Sequence, residues 1–253
     1  MARRALVTTL GAGAALVCAA IANACTSFAE SAEPVPEADA AAGADAATAC
    51  APSALLLACN TFDDPSPVGP LSFFTRQDGE ATVEVSRARA SSPPASLRVA
   101  VGSGGGRGQV AAAFTTTRTK LTATMKVFVG APTTTPVRLM VIESSDGARR
   151  LSLVLTGVAL ALAVDRPGDG GTTTDIKPST LAIGPGGWSD VHLEVEQLDS
   201  SSPNYYLGST DRGKRITGLP GIKDAQIIAF GAETSAPAGA AEIFIDDVVI
   251  LER

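Results

Sequence analysis

Apolar and polar residues alternate with a period of two along much of this chain, a pattern that a strand satisfies and a helix does not. In KLTATMKVFVG, Leu121, Ala123, Met125, Val127 and Val129 alternate with Thr122, Thr124 and Lys126. One apolar and one polar face at that period describe a strand half buried in a sheet. SLRVAV repeats the pattern with Leu97, Val99 and Val101, and ATVEVSR with Val83 and Val85. VRLMVIES, SDGA, RRLSLVL, Thr156-Gly157 and VALALAV read in order as a three-stranded meander, with Asp146-Gly147 as a hairpin turn. The apolar run 151–164 spans 14 residues with Gly157 in its middle. That is short of the roughly 20 residues a membrane helix needs, so it reads as two strands. WSDVHLEVEQ, NYYLGST, AQIIAFGAE and EIFIDDVVILE complete the set. Few windows carry a helical period and no internal repeat is visible. The prediction is an all-β chain, a two-sheet antiparallel β-sandwich of jelly-roll type.

Three stretches are predicted. Residues 1–24 read as a signal peptide: Arg3 and Arg4, an apolar run, then the small-residue site Ala22-Asn23-Ala24. Cys25 follows directly, so the segment resembles a bacterial lipoprotein signal with Cys25 as the lipidated residue, although Ala22 stands where that motif usually has Leu. Plain secretion after Ala-x-Ala and an uncleaved anchor are the other two readings. Residues 25–49 are acidic, rich in Ala and Pro and free of basic residues; they read as a disordered tether, with an Ala-rich helix as the alternative. Residues 50–253 form the predicted sandwich domain. Lipidation of Cys25 would leave Cys50 and Cys59 as an even pair for a disulfide in an oxidising compartment, against two unpaired core cysteines. The location expected is the outer or cell-surface membrane through a lipid anchor, otherwise the periplasm or the extracellular space.

The formal charge is −6, and loss of Arg3 and Arg4 with a signal takes it to −8. Nucleic acid is therefore not an expected partner, because phosphate binding needs a basic face.

CNTFDD at the start of the domain, SSPPASLRVAV soon after, GGWSDVHLEV late and IFIDDVVI at the close resemble the concanavalin A-like and laminin G-like jelly rolls of bacterial surface proteins. They are similar also to carbohydrate-binding modules of the same architecture. That resemblance implies first and last strands lying side by side and a structural calcium where they meet. Asp63 and Asp246 would be its ligands, with Asp64 and Asp247 as further donors, since calcium takes oxygens from carboxylates and carbonyls. Because neighbouring strand residues face opposite ways, Asp246 and Asp247 cannot both enter one site from a regular strand. The other reading places these acids at exposed strand ends, where they discourage edge pairing.

The function expected from this resemblance is non-catalytic: an exported surface protein that binds a glycan or surface polymer. The alternatives are a structural or adhesive envelope protein that binds other proteins, and a degenerate or unrecognised glycoside hydrolase. Tyr205 and Tyr206 are the first ligand-binding candidates, because one of two adjacent strand residues should be exposed. Phe73 and Phe74 follow, then Trp188, whose position in related sandwiches usually packs into the core. The single histidine, His192, shares a strand face with Glu194 and Glu196, which reads as a solvated outer face. The closely spaced acids of related jelly-roll glycosidases and a Gly-x-Ser-x-Gly elbow are both missing, so enzymatic activity is not expected. GSGGGRGQ lacks the Gly-Lys-Ser/Thr ending of a phosphate loop and reads as a flexible connection.

Overall fold

The computed structural model describes residues 50, 53–63, 69–115, 120–209, 213–235 and 239–253. In chain order its strands are β1 (Leu56–Asn60), β2 (Phe73–Ser86), β3 (Ser96–Ala113), β4 (Lys120–Val129), β5 (Thr133–Ser144), β6 (Arg150–Gly157), β7 (Ala159–Gly168), β8 (Gly171–Ala182), β9 (Trp188–Glu196), β10 (Asn204–Gly208), β11 (Lys214–Ile216), β12 (Ala225–Thr234) and β13 (Ala241–Glu252). Every pairing is antiparallel and the order is β11-β10-β9-β4-β13-β3-β12-β5-β6-β7-β8. The expected meander is present as β5, β6 and β7.

The two layers of the sandwich belong to one continuous path. β3 pairs with β13 through Leu97 to Val101 and with β12 through Gly106 to Ala113, so a single strand passes from one layer into the other. β2 follows it along both halves. The glycine-rich segment GSGGGRGQ, expected to be a flexible connection, is the corner of β3. Gly79 and Gly106 pair across this corner with φ of 63° and 150°. A Cβ on Gly79 would stand 2.7 Å from the Gly105 carbonyl oxygen, and one on Gly106 would stand 2.5 Å from that of Asp78. The two backbones can cross this closely only without side chains.

Layer one (β11-β10-β9-β4-β13 and the first half of β3) and layer two (the second half of β3, then β12-β5-β6-β7-β8) share one apolar core. Val99, Met125, Val127 and Val191 meet Leu139, Leu153, Leu162 and Phe230 in it. β1 lies antiparallel to β13, with Cys59 opposite Val249. The first and last described strands therefore do lie side by side, and Cys50 and Cys59 form a disulfide.

Candidate functional site

Layer two has a second face, turned away from the core, that the alternation assigns without ambiguity. Val110, Ile228, Leu153 and Leu162 point into the core, so their neighbours Ala111, Ala229, Ser152 and Ala163 point out. Register sets these in one row with Val141: Ala111 opposite Ala229, Ala229 opposite Val141, Val141 opposite Ser152, Ser152 opposite Ala163. Small residues facing outward would ordinarily be exposed, yet all five are buried. What covers them is a layer of charge.

Arg138 and Arg150 start from opposite sides of that row and reach across it. Arg138 donates from Nη1 to Ser152 Oγ at 2.5 Å and pairs with Asp165 Oδ2 at 2.8 Å. Arg150 binds Glu233 with both terminal nitrogens, at 2.8 and 2.5 Å, and its Nε lies 3.1 Å from Glu143 Oε1. Arg76 donates to the other oxygen of Glu143 at 2.8 Å. Thr174 donates to Asp165 at 2.7 Å, and Arg107 pairs with Asp78 at the margin. Burial opposes the charge on Arg150, but Glu233 and Glu143 outweigh it and raise its pKa. A chain of alternating charges in so buried a setting holds its members in place.

Two members of the face differ from the rest. Gln109, 0% exposed, has neither amide atom hydrogen-bonded. It lies opposite Arg76 on β2 and opposite Gly231 on β12, where a Cβ would come within 2.7 Å of the Gln109 Cα. A buried amide with both ends unpaired carries a cost of about 1–3 kcal/mol. Among the three carboxylates at the centre, Glu233 is the most accessible, with 18% of its side chain exposed against 6% for Glu143 and 9% for Asp165. Sequence reading missed this site, although its signal is present: Arg, Gln, Glu and Asp interrupt strands otherwise written in Val, Leu, Ile and Ala, as in GRGQVAAA, VRLMVIES and LAVDR.

The residues singled out from the sequence lie elsewhere. Tyr205 is fully buried and donates its hydroxyl to the Pro220 carbonyl at 2.6 Å, so it is a core residue and no ligand platform. Tyr206 is half-buried, on the outer face of layer one, 3.4 Å from Glu196. Phe73 packs against the core and Phe74 is exposed. Trp188 is half-buried on the outer face of layer one, its ring centroid 5.8 Å from that of Phe128, which also contacts Phe244 and lies under Arg89. The face of His192 is not the solvated one expected: Glu194 is buried and paired with Lys120 at 2.7 Å.

Asp246 and Asp247 answer the question their place in an apolar strand raises. A bulge interrupts the pairing of β13 with β4 between Asp246 and Val249, and Asp247 adopts φ 49°. The strand is therefore irregular here, and both carboxylates turn to the same loop, residues 87–95. Asp246 is fully buried; its Oδ2 accepts the N–H groups of Ser91 and Ser92 at 2.8 and 3.0 Å, and its Oδ1 accepts that of Asp247 at 2.9 Å. Asp247 accepts the Ser92 hydroxyl at 2.7 Å and pairs with Lys126 at 2.9 Å. Asp63, set by a turn in which Asn60 accepts the Phe62 N–H, takes the Ala95 N–H at 2.8 Å.

Backbone donors thus fill the places that calcium would take, and among the described residues no three His, Cys, Asp or Glu gather as a metal site. The donor set does not fit the calcium expectation as it stands; Asp64, like Cys25, lies outside the described residues. Excess chelator is expected to leave the thermal midpoint unchanged in a melt followed by circular dichroism, and a fall would reinstate calcium.

No protein-family profile matches the sequence, and no curated protein does. Solved structures do share the fold. An endo-β-1,4-glucuronan lyase from the fungus Trichoderma reesei superposes with a TM-score of 0.53 over 71% of this chain and 90% of its own, at 11% identity. The cellulose-induced protein Cip1 gives 0.53 over 72% and 91%, at 16% identity. Alginate lyase vAL-1 from Chlorella virus gives 0.51 over 70% and 92%, at 9% identity. Identities this low establish a shared jelly-roll fold and no more; that fold, read above as a non-catalytic binding module and not as an enzyme, is one that a glucuronan lyase and an alginate lyase also have, which corrects that expectation.

Proposed function

We propose that the domain is a glycan-cleaving enzyme, a lyase that acts on a polysaccharide carrying uronate carboxylates, and that it works on the charged face of layer two. The observation that carries this reading is the set of arginines holding carboxylates over a floor of small side chains, with an unpartnered buried amide among them. In the β-elimination such an enzyme performs, the proton on the carbon next to the uronate carboxylate leaves to a base. The C–O bond to the neighbouring sugar then breaks, a C=C bond forms, and the departing oxygen takes up a proton. The protein must offset the substrate carboxylate's charge so that this carbon becomes acidic, and must supply the base.

Arg76, Arg138 and Arg150 already bind carboxylates in this structure, the geometry guanidinium groups favour. Gln109, buried with its amide unpartnered, lies beside Arg76. Glu233, the most open of the central acids, is the proton acceptor. Incubation of the protein with alginate, polyglucuronate and other uronate polymers, followed by the ultraviolet absorbance of the new conjugated C=C bond, tests this. Absorbance should rise for at least one polymer and fall about a hundredfold in rate in Glu233→Gln, the effect of losing a general base. A folded protein that leaves every such polymer intact would remove the proposal.

The enzyme would act outside the cytoplasm, held by lipid at Cys25 on the 25–49 tether. The signal-like residues 1–24 and the Cys50–Cys59 disulfide support that location. A tagged fatty acid should label the protein and fail to label Cys25→Ala; an unlabelled native protein would refute the anchor.

A further inference from the structure

At the far margin of the sandwich the core is not closed by apolar residues. β8 pairs with β7 so that Asp175 lies opposite Val164 and Lys177 opposite Leu162. Both β7 residues are core residues, so Asp175 and Lys177 share their side, where a sandwich would normally place Val or Leu. Facing them are β11 and the turn after it. Gly218 lies close enough that a Cβ on it would be 3.5 Å from the Lys177 side chain.

Two adjoining cavities, of about 470 and 210 Å³, run along this seam and share Arg215 and Thr217. The combined space falls in the range of ligand sites. Among the described residues its cations are Arg166, Lys177, Lys214 and Arg215, and the sole acid lining it is Asp175. Asp175 pairs with Arg166 at 3.0 Å. Arg215 donates to the Asn204 side-chain amide oxygen and, among the described residues, has no acidic partner. Among the described residues Lys177 and Lys214 form no ion pair. Among the described residues, three positive charges therefore stand without an acidic partner in a chain whose net charge is −6. Hydroxyl-bearing Ser179, Thr180, Ser201, Ser202 and Thr217 also line it, alongside apolar residues such as Leu219 and Pro220.

We propose that the seam between β8 and β11 is a second binding site for acidic polysaccharide, separate from the charged face of layer two, which holds the chain while another stretch of it is cleaved. Cations spaced along a groove take the carboxylates and the hydroxyls take the sugar ring. Two linked sites raise the effective concentration of a long substrate at the cleaving face and do nothing for a short one. The inference rests on the reading of the domain as an enzyme of uronate polymers, and the test separates the two.

Binding of long alginate chains is measured in the Glu233→Gln variant, so that substrate is not consumed, and compared with the same variant carrying Lys177→Ser and Arg215→Ser. Both added substitutions are at exposed positions, so the fold is retained. The expected result is about tenfold weaker binding, the loss of two exposed charge contacts together, with neutral dextran bound by neither. In the otherwise native protein the same pair should slow cleavage of long alginate and leave a short oligomer unaffected. Unchanged affinity for long alginate would overturn the site, as would no binding of alginate at all, or loss of binding to phosphatidylglycerol vesicles in its place. If the native protein cleaves no polymer and the affinity still falls, the seam stands and the lyase reading fails. If cleavage occurs and the affinity does not change, the reverse holds.

Discussion

Arg150→Ala is expected to lower the unfolding free energy by about 4 kcal/mol, read as a lower denaturant midpoint at unchanged slope. The size follows from what the side chain leaves behind. Arg150 is the partner of Glu233 through two hydrogen bonds and lies 3.1 Å from Glu143. Glu143 retains Arg76 and Glu233 retains only Arg138, at 3.9 Å, so a poorly solvated carboxylate loses most of its compensation. Breaking one partner from a buried pair costs more than the pair itself contributes. Arg87, exposed and outside any ion pair among the described residues, serves as the control, and its replacement by Ala should stay within about 0.5 kcal/mol. Equal effects at the two positions would mean that the charged layer contributes little to the fold.

Asp246→Ala is expected to cost about 3 kcal/mol, since it strips an acceptor from three N–H groups, that of Ser92 among them in a buried setting. The loop 87–95 should become protease-sensitive in the variant, while the charged face of layer two keeps its ion pairs. The native residue also carries a pH signature. Burial raises the Asp246 pKa to about 6, with Asp247 adding to the shift and the Ser92 and Ser91 N–H groups opposing it. A carboxyl whose folded pKa lies above its unfolded one stabilises the fold most below the unfolded value, and that contribution is lost as pH rises through about 6. Relative to Asp246→Asn, which cannot titrate, the native protein should therefore gain about 1 kcal/mol on going from pH 7 to pH 5. A constant gap between the two proteins across that range would show that Asp246 titrates as an ordinary exposed carboxyl.

Much of the sandwich is legible because its strands announce themselves locally. The alternation in KLTATMKVFVG becomes β4, and the meander with its Asp-Gly turn becomes β5, β6 and β7. β8 is not legible: GTTTDIKPSTLA has no apolar face, since as the last strand of its layer it borders the polar seam. The glycines of β3 misread as a connection because a strand that bends between layers needs them where their usual meaning is a turn. The adjacent acids of IDDV misread for a related reason. Strict alternation sends Asp246 and Asp247 to opposite faces, and the bulge that brings them together leaves no mark in composition. The charged face was beyond local reading, because Arg76 meets Glu143, and Arg150 meets Glu233, across 67 and 83 residues. Only the order β3-β12-β5-β6-β7 gathers them.

Mass analysis of the products formed from a uronate polymer tests the central claim most directly, because it reports both whether the bond breaks and by which chemistry. The protein is expected to release oligomers lighter by one water than the hydrolysis products, with unsaturation at the new non-reducing end, and Glu233→Gln is expected to release them at a small fraction of that rate while still folded, by circular dichroism, at the assay temperature. Saturated oligomers would mean hydrolysis and a different assignment for Glu233. Intact polymer in the presence of folded protein would contradict the enzyme reading altogether and leave the arginines of layer two as a device for holding β-strands together.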